Sequence, residues 1–430
     1  MSIRYRRVGV LLCSFFASSN AFATNGYFLI GYGTQSRGMG GAAIALPQQG
    51  EAAAVNPAGL VDLGTRIDID AALFLPRRRS ACCLSQEGVV SGANVFLIPS
   101  LGGVFKFNRR MSLGLGVVGA GANTRFEQNF FFDDPNLAGP QADQSNGALG
   151  VSLIQMIMAP GVAYKVDKHN AVGVSLQIGM QQFRAYGLSN AFANLSQDPD
   201  NLTNRGNDYS YGAGVRLGWR GKFFDKRLML GATYASRTYM TRFDKYRGLF
   251  ADEGNFDIPE NYGLGIAIKP VGGLVIAFDW KRILYSNIPA VGNPATPISA
   301  DPNNTKDKLG NASGPGFGWS NQSIYKVGIS YDLTHAFTVR AGYNYGKTPI
   351  RENDSLEFNV LAPATTEKHI TLGGTYRIGK AHEWSFAYQH ARRNKLKTNV
   401  DANAGLPFSG PVETELYINT FEIGYSFKLN

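Results

Sequence analysis

The chain has 430 residues, a formal net charge of +10, 17% charged residues, 12% aromatic residues and 51 glycines. Beyond its first two dozen residues it has no apolar run long enough for a spanning helix, which takes about 20 consecutive apolar residues, so a helical membrane protein is excluded. The aromatic content excludes a disordered chain. Abundant Gly, Tyr and Phe with few Cys fit a β-rich protein, including a barrel whose strands alternate lipid-facing and lumen-facing residues.

The first element is a leader. Arg4, Arg6 and Arg7 give a basic start, residues 8–17 an apolar core, and Ala21-Phe22-Ala23 an A-x-A cleavage signature; together they read as a secretory signal peptide over 1–23, too short to anchor the chain. Leu12, ahead of Cys13, is too large for a lipoprotein processing site. Cleavage removes three arginines and no acid, so the charge falls to +7 (10 − 3). A basic exported chain suits anionic lipid or lipopolysaccharide rather than nucleic acid, and no aromatic-and-basic nucleic-acid motif is present. The mature chain keeps Cys82 and Cys83. Adjacent cysteines rarely bridge each other without strain, so both read as loop residues without assigned chemistry.

Residues 24–64 do not alternate. They run through Gly38-Met39-Gly40-Gly41-Ala42 and Glu51-Ala52-Ala53-Ala54-Val55-Asn56-Pro57-Ala58. About forty residues of mostly small side chains cannot bury a core of their own, but they can pack closely inside another structure. The segment reads as a plug inside a barrel or as a plain N-terminal tail. Within it, 51–55 can form one helical turn, which Pro57 stops by biasing Asn56 away from helical geometry.

From residue 65 the pattern has period two. Val172, Val174, Leu176 and Ile178 alternate with Gly173, Ser175, Gln177 and Gly179, and Phe337, Val339, Ala341 and Tyr343 alternate with Thr338, Arg340, Gly342 and Asn344. One strand face is therefore apolar and the other polar or tiny. Short links are expected near 108–110, 167–170, 221–227, 270–273, 332–335 and 379–382. Long polar links are expected over 77–99, 122–150, 184–208, 241–254, 286–318, 347–366 and 393–412. Six short and seven long links in strict alternation predict an all-β, fourteen-stranded antiparallel transmembrane barrel over 65–430, with short periplasmic turns and long outer loops. In the last strand Tyr417, Phe421, Ile423, Tyr425, Phe427 and Leu429 share one face, opposite Thr420, Glu422, Gly424, Ser426 and Lys428. This is similar to an outer-membrane assembly signal, except that the chain ends on Asn430 rather than on an aromatic.

The glycine run at 38–41, the triplet Asn56-Pro57-Ala58 and the barrel that follows resemble the FadL/TodX family of outer-membrane transporters. The resemblance implies a monomeric fourteen-stranded barrel with an N-terminal hatch (here 24–64). It further implies passive uptake of long-chain fatty acids or aromatic hydrocarbons, with lateral exit into the membrane beside a kinked third strand. Gly119 and Gly121, in the glycine-rich third strand over 111–121, are the expected opening; alternatively, these glycines make room for the hatch. No cofactor or metal is implied.

A hydrophobic-solute transporter needs an apolar capture patch. Leu188, Phe192, Leu195, Phe243, Leu249 and Phe250 in the third and fourth outer loops are the expected one, with Phe130, Phe131 and Phe132 in the second loop as another; the same residues can instead pack as a lid. Arg184, Arg242, Lys245 and Arg247 can hold a ligand carboxylate or lipopolysaccharide phosphate. Arg216, Asp279, Lys281, Arg340 and Arg377 fall on the lumen face, where they pair with each other or with the hatch.

Gly114-Leu115-Gly116-Val117-Val118-Gly119 matches a dinucleotide fingerprint, but no helix follows it. The five histidines show no metal-ligand spacing. A barrel enzyme such as a lipase would need a Ser–His or acid pair at the outer rim, where only His369 and His390 are placed, so the chain reads as a non-enzyme. A polar-solute porin needs an open lumen, which a forty-residue plug would fill. Mass spectrometry of the protein from outer membranes should find a chain that begins at Thr24; a retained leader would refute the cleavage.

Overall fold

The computed structural model describes residues 25–82, 85–127, 147–401, 406 and 409–429. The proposed leader, Cys83, Phe130, Phe131, Phe132 and Asn430 lie outside them. Fourteen strands form the wall: β1 Thr65–Cys82, β2 Phe96–Lys106, β3 Met111–Asn123, β4 Gly150–Lys165, β5 Asn170–Tyr186, β6 Asp208–Phe223 and β7 Leu228–Ala235. They continue as β8 Asn261–Ile268, β9 Leu274–Ile283, β10 Gln322–Asp332, β11 Phe337–Gly346, β12 Lys368–Ile378, β13 His382–Val400 and β14 Gly410–Leu429. Each pairs antiparallel with its neighbours in sequence, and β1 closes the ring on β14 from Thr65↔Leu429 to Ala81↔Glu413. Two short strands, Ser85–Val90 and Tyr239–Met240, pair with β1 and β6 beyond the wall. Among the described residues no helix is long and apolar enough to cross a membrane.

Alternation sorts the side chains. Ile67, Ile69 and Leu73 of β1 point outward and are exposed, while Arg66, Asp68 and Asp70 between them are buried. The closing strand behaves as expected, with Phe421, Ile423 and Leu429 outward and Thr420, Glu422 and Ser426 inside.

Several boundaries differ from the sequence reading; the link expected over 241–254, for example, spans 236–260. The first and last long links are shorter, because β1 runs on to Cys82 and β13 and β14 continue to Val400 and Gly410. The polar residues read as loop are paired across strands, with Lys397 Nζ 2.9 Å from Glu413 and Arg393 3.8 Å from Glu415. Opposite charges facing each other stabilise a hairpin as apolar pairs do. Cys82 is a strand residue and disulfide-bonded, not a loop cysteine.

Residues 25–64 contain one four-residue α-helix, Thr34–Arg37, and two 3-10 turns, Gly50–Ala54 and Pro57–Asp62. Asn56 is extended (φ −144°, ψ 97°), as the following proline requires. With so little regular structure, the segment's backbone groups must find other partners, and wall side chains supply them. Asp279 on β9 accepts from Ala43 N–H and Ile44 N–H at 2.7 and 2.9 Å. Asp68 on β1 accepts from Gly50 N–H at 2.7 Å, and Thr371 on β12 from Gly40 N–H at 2.8 Å. Lys326 on β10 donates to the carbonyls of Ile30 and Gly41 at 2.7 and 3.1 Å. Arg37 forms a buried ion pair with Glu422 of β14. The segment therefore contacts inward faces all around the ring.

The Asn56-Pro57-Ala58 triplet has a defined seat. Asn56 Nδ2 donates to the carbonyls of Ile44 (2.8 Å) and Trp219 (3.0 Å), and its Oδ1 accepts from Ala58 N–H. Gly173 and Gly218 of the wall face it so closely that a Cβ on Gly173 would lie 2.5 Å from the Pro57 carbonyl carbon. Glycine is required there by approach of two backbones.

Glu51 is fully buried, and burial, with Asp70 and Asp68 beside it, pushes its carboxyl well above the ordinary 4.5. A proton kept in the folded state and released from the unfolded chain makes stability fall as pH rises above that ordinary value, by up to about 1.4 kcal/mol per pH unit. Glu51→Gln should remove this slope, so that the variant gains on the wild type between about pH 5 and 8 in denaturant midpoints of the detergent-solubilised barrel. Parallel pH profiles would show Glu51 to be ionised in the fold.

Candidate ligand path

At the long-loop end, the sequence-predicted apolar residues come together but are not exposed. Leu188, Phe192, Leu195, Phe243 and Phe250 are buried and Leu249 is half-buried. Phe250 lies 4.6 Å from Phe183 and 4.9 Å from Phe256 between ring centroids, and Phe192 lies 5.7 Å from Phe358. The expected exposed patch is thus replaced by a packed cap, because the loops over 284–321 and 347–367 bring Leu309, Phe317 and Phe358 against it and exclude water. A small apolar pocket of about 40 Å³ remains among Leu188, Leu249, Phe250, Leu309, Phe317 and Phe358. Ligand sites run to roughly 300–1,000 Å³, so the packed cap leaves no ligand-sized space at this end.

The loop cations are engaged elsewhere. Arg242 reaches Asp252 and Glu253 at 2.9 and 2.7 Å, Arg247 pairs with Asp198, and Lys245 donates to the Asn207 carbonyl at 2.8 Å. Arg184 lies 5.3 Å over the Tyr186 ring. These pairs are exposed, where each contributes under about 1 kcal/mol.

Below the cap, an aromatic column leads inward. Phe256 is 6.0 Å from Tyr27 of the N-terminal segment, Tyr27 is 5.4 Å from Tyr285, and Tyr285 meets Trp319 edge-on at 5.1 Å. Tyr285 Oη donates to the Asn25 carbonyl at 2.6 Å. Burial pushes both the Tyr27 and Tyr285 hydroxyls well above their ordinary range, so both stay neutral. Tyr27 also stacks on Phe28 at 5.1 Å, and the Lys281 ammonium lies 5.1 Å over the Phe28 ring.

The column ends at two small cavities of about 10 and 30 Å³ that share Tyr32, Ala54, Arg216 and Lys281 as lining. Arg216 donates only to neutral groups, the Val55 carbonyl (3.3 Å), Thr233 Oγ1 (3.2 Å) and Asn261 Oδ1 (3.3 Å). Among the described residues Lys281 has no ion pair or hydrogen bond, and the nearby Asp279 accepts from Ala43 and Ile44 through Oδ2 while its buried Oδ1 has no hydrogen-bond partner. Arg216, Lys281 and Lys326 therefore all line the cavities without an ion-pair partner among the described residues, Lys326 being taken up by the Ile30 and Gly41 carbonyls. Sequence reading placed Arg216 and Lys281 on the lumen face but not in a ligand role. Phe28 beside Lys281 was the missing signal, because no pattern links position 28 to position 281.

Val118 and Ile157 also line the smaller cavity, so it adjoins the third strand. Here the wall is split. β3 pairs with β2 only from Ser112↔Lys106 to Val117↔Leu101, while it pairs with β4 along its whole length to Asn123↔Ser152. Above the split, β2 holds only β1, through Ser100↔Asp70 to Phe96↔Phe74. The in–out alternation of β3 breaks at the same place, with Val117 and Val118 both buried. The upper border is closed by Gly92 N–H donating to the Arg125 carbonyl at 2.7 Å. Gly121 N–H, freed from the ladder side, donates to the Tyr27 carbonyl at 3.1 Å. Gly119 lies within the split, where a Cβ would lie 3.6 Å from Ile98 Cγ2. Gly121 has φ +150°, so side chains added there also strain the backbone.

Among the described residues no group of three or more His, Cys, Asp or Glu could hold a metal. His369 is buried in the lumen, and His390 Nδ1 lies 2.8 Å from Asn419 Oδ1.

The sequence matches the family described as outer membrane protein transport protein (OMPP1/FadL/TodX) over residues 10–427. No curated protein sequence matches it. Among solved structures, the toluene transporter TodX of P. putida is similar at 18% identity and a TM-score of 0.66, over 94% of this chain and 100% of TodX. A Pseudomonas aeruginosa FadL homologue is similar at 16% identity and 0.67, over 96% and 100% of the two chains. The toluene transporter TbuX of Ralstonia pickettii gives 18% and 0.62, over 94% and 99%.

The cap's packing sets a contrast. Phe250→Ala should cost the cap about 3–5 kcal/mol, whereas Arg242→Ala should cost under about 1 kcal/mol. Hydrogen exchange of the amides over 236–260 should therefore rise at least a hundredfold in the first variant and under about tenfold in the second; equal acceleration would mean that ion pairs hold the cap.

Proposed function

Because the chain belongs to the OMPP1/FadL/TodX family of outer-membrane transport proteins, we propose that it carries long-chain fatty acids passively across the outer membrane. Residues 24–64 act as the hatch of a monomeric barrel, behind a signal peptide over 1–23. Hydrophobic solute enters by parting the cap around Leu188, Phe192, Leu195, Phe243, Leu249 and Phe250. It passes the aromatic column and leaves sideways between β2 and β3 at Gly119 and Gly121. Apolar transfer from water to lipid supplies the driving force, and no cofactor or catalytic group is required.

The observation that carries the fatty-acid reading is the pair Arg216 and Lys281, which face the inner cavities without a dedicated acid partner. A ligand carboxylate there would make charge-assisted hydrogen bonds away from bulk water. Arg242, Lys245 and Arg247 are less suited to that role, since loop carboxylates and a carbonyl occupy them. A second reading, aromatic hydrocarbon uptake, draws on the ring-lined column from Phe250 to Trp319 and on the toluene transporters among the similar structures.

Lys281→Met keeps the stem and removes the charge. It should lower uptake of labelled oleate about tenfold or more, since hydrogen bonds to charged groups contribute about 1.5–3 kcal/mol, and leave toluene uptake unchanged. Equal loss for both solutes would remove the fatty-acid reading. For the exit, cysteines at positions 98 and 119 should crosslink β2 to β3 on oxidation and stop uptake of either solute, with recovery on reduction. Undiminished uptake by the crosslinked barrel would place the exit elsewhere.

A further inference from the structure

The outward surface over β11–β14, β1 and β2 holds a hollow larger than the groove of about 480 Å³ beside Leu217, Tyr234 and Leu264 on the face over β6–β9. Leu73, Leu97, Leu372, Phe386 and Phe421 stand around a groove of about 680 Å³, with the small Ala71 and Gly374 among its lining. The large side chains are all about half exposed, between 40% and 55%. Directly above the groove, toward the long loops, the outward faces become basic. Phe421 is opposite Leu73, and four residues up the same pair of strands Tyr417 is opposite Arg77 and Glu415 opposite Arg79. On β13, Lys395 and Lys397 stand opposite Glu415 and Glu413, and Arg393 lies 5.0 Å over the Tyr417 ring.

This crown has five cations, Arg77, Arg79, Arg393, Lys395 and Lys397, against two carboxylates, Glu413 and Glu415, a net of +3 (5 − 2). Arg393 and Lys397 are 60% and 65% exposed, and Arg77 makes no ion pair among the described residues. Its height is informative. From Ile67 to Arg77 the strand rises about 33 Å along its axis, or about 25 Å along the membrane normal at the usual tilt, which is the height of a barrel's apolar band. The cations therefore sit at the outer lipid–water boundary, one head-group depth above a groove sized for acyl chains.

We propose that this face is a binding site for the lipid A part of lipopolysaccharide, with acyl chains in the groove and phosphates on Arg77, Arg393, Lys395 and Lys397. The proposal does not depend on which solute the barrel carries. Arginine forks suit phosphate oxygens, and the lysines add point charges. A lipid with several chains and two phosphates fits both the groove and the surplus charge; a single-chain or uncharged lipid uses only one of them.

The test is native mass spectrometry of the purified barrel in non-ionic detergent, with hexa-acyl lipid A as the probe. The wild type should retain one lipid A, and the variant Arg77→Gln/Arg393→Gln/Lys395→Gln/Lys397→Gln should bind it at least tenfold more weakly. Heat-modifiable gel mobility reports whether that variant is folded. If it is not, the wild type alone decides, because its retention must fall steeply between about 0.05 and 0.5 M salt. Lipid A without phosphates should bind wild type as weakly as the variant binds intact lipid A. Equal retention by wild type and folded variant, retention independent of salt, or equal retention of the dephosphorylated lipid would overturn the site. Equal competition by phosphatidylglycerol would overturn the assignment to lipid A.

Discussion

The structure depends on how an irregular segment keeps its backbone hydrogen-bonded inside a closed wall. Residues 25–64 have too little helix to satisfy their own N–H and C=O groups, and an unpaired buried amide is costly. Side chains from many strands meet that demand: Asp68, Asp279 and Thr371 accept from N–H groups and Lys326 donates to carbonyls, while the segment's own Asn56 donates to the Ile44 carbonyl. Most of the lumen's polarity is thereby committed to holding the segment. Lys281 is a cation outside that commitment, with no hydrogen bond or ion pair among the described residues, and Arg216 beside it donates to the Val55 carbonyl but has no acid partner.

Tyr27 is where this packing meets the path. Its ring belongs to the aromatic column and its carbonyl holds Gly121 at the split in the wall. One residue thus links the cap-side aromatics to the backbone of β3. A displacement of Tyr27 that opened the column would also release a hydrogen bond at the split, so the two ends of the path share a mechanical element.

Much of the fold was legible in the sequence, because period-two alternation and unequal links leave few architectures. The fourteen barrel strands follow from such local signals, whereas the contact of Asn56-Pro57-Ala58 with Gly173 and Gly218 appears only in the fold. The extents of β1, β13 and β14 do not, since Arg393, Lys395 and Lys397 look like loop residues until Glu413 and Glu415 are known to face them. Pro99 in β2 was a signal left unused: proline is at home where a strand has a free edge, and β2 loses β3 close to that residue. Exposure of the cap residues was unreadable for a different reason. Phe243 or Phe250 is apolar whether it meets solvent or Phe183, and only the fold of four loops decides.

The ring's seam is as long a ladder as the β13–β14 joint beside it, and the split is the shortest. Seventeen residue pairs join β1 to β14, from Thr65↔Leu429 to Ala81↔Glu413, whereas six join β2 to β3. These two joints lie on successive strands, because β2 is bound to β1 on its other edge. A closed ring under thermal load deforms where its bonding is thinnest, so the compliance of the barrel is concentrated in one joint. The stiff joint beside it anchors β1 while β2 and β3 spread. The seam where the first and last strands meet is among the stiffest joints of the ring, and the joint between β2 and β3, which follow each other in the chain, is its softest.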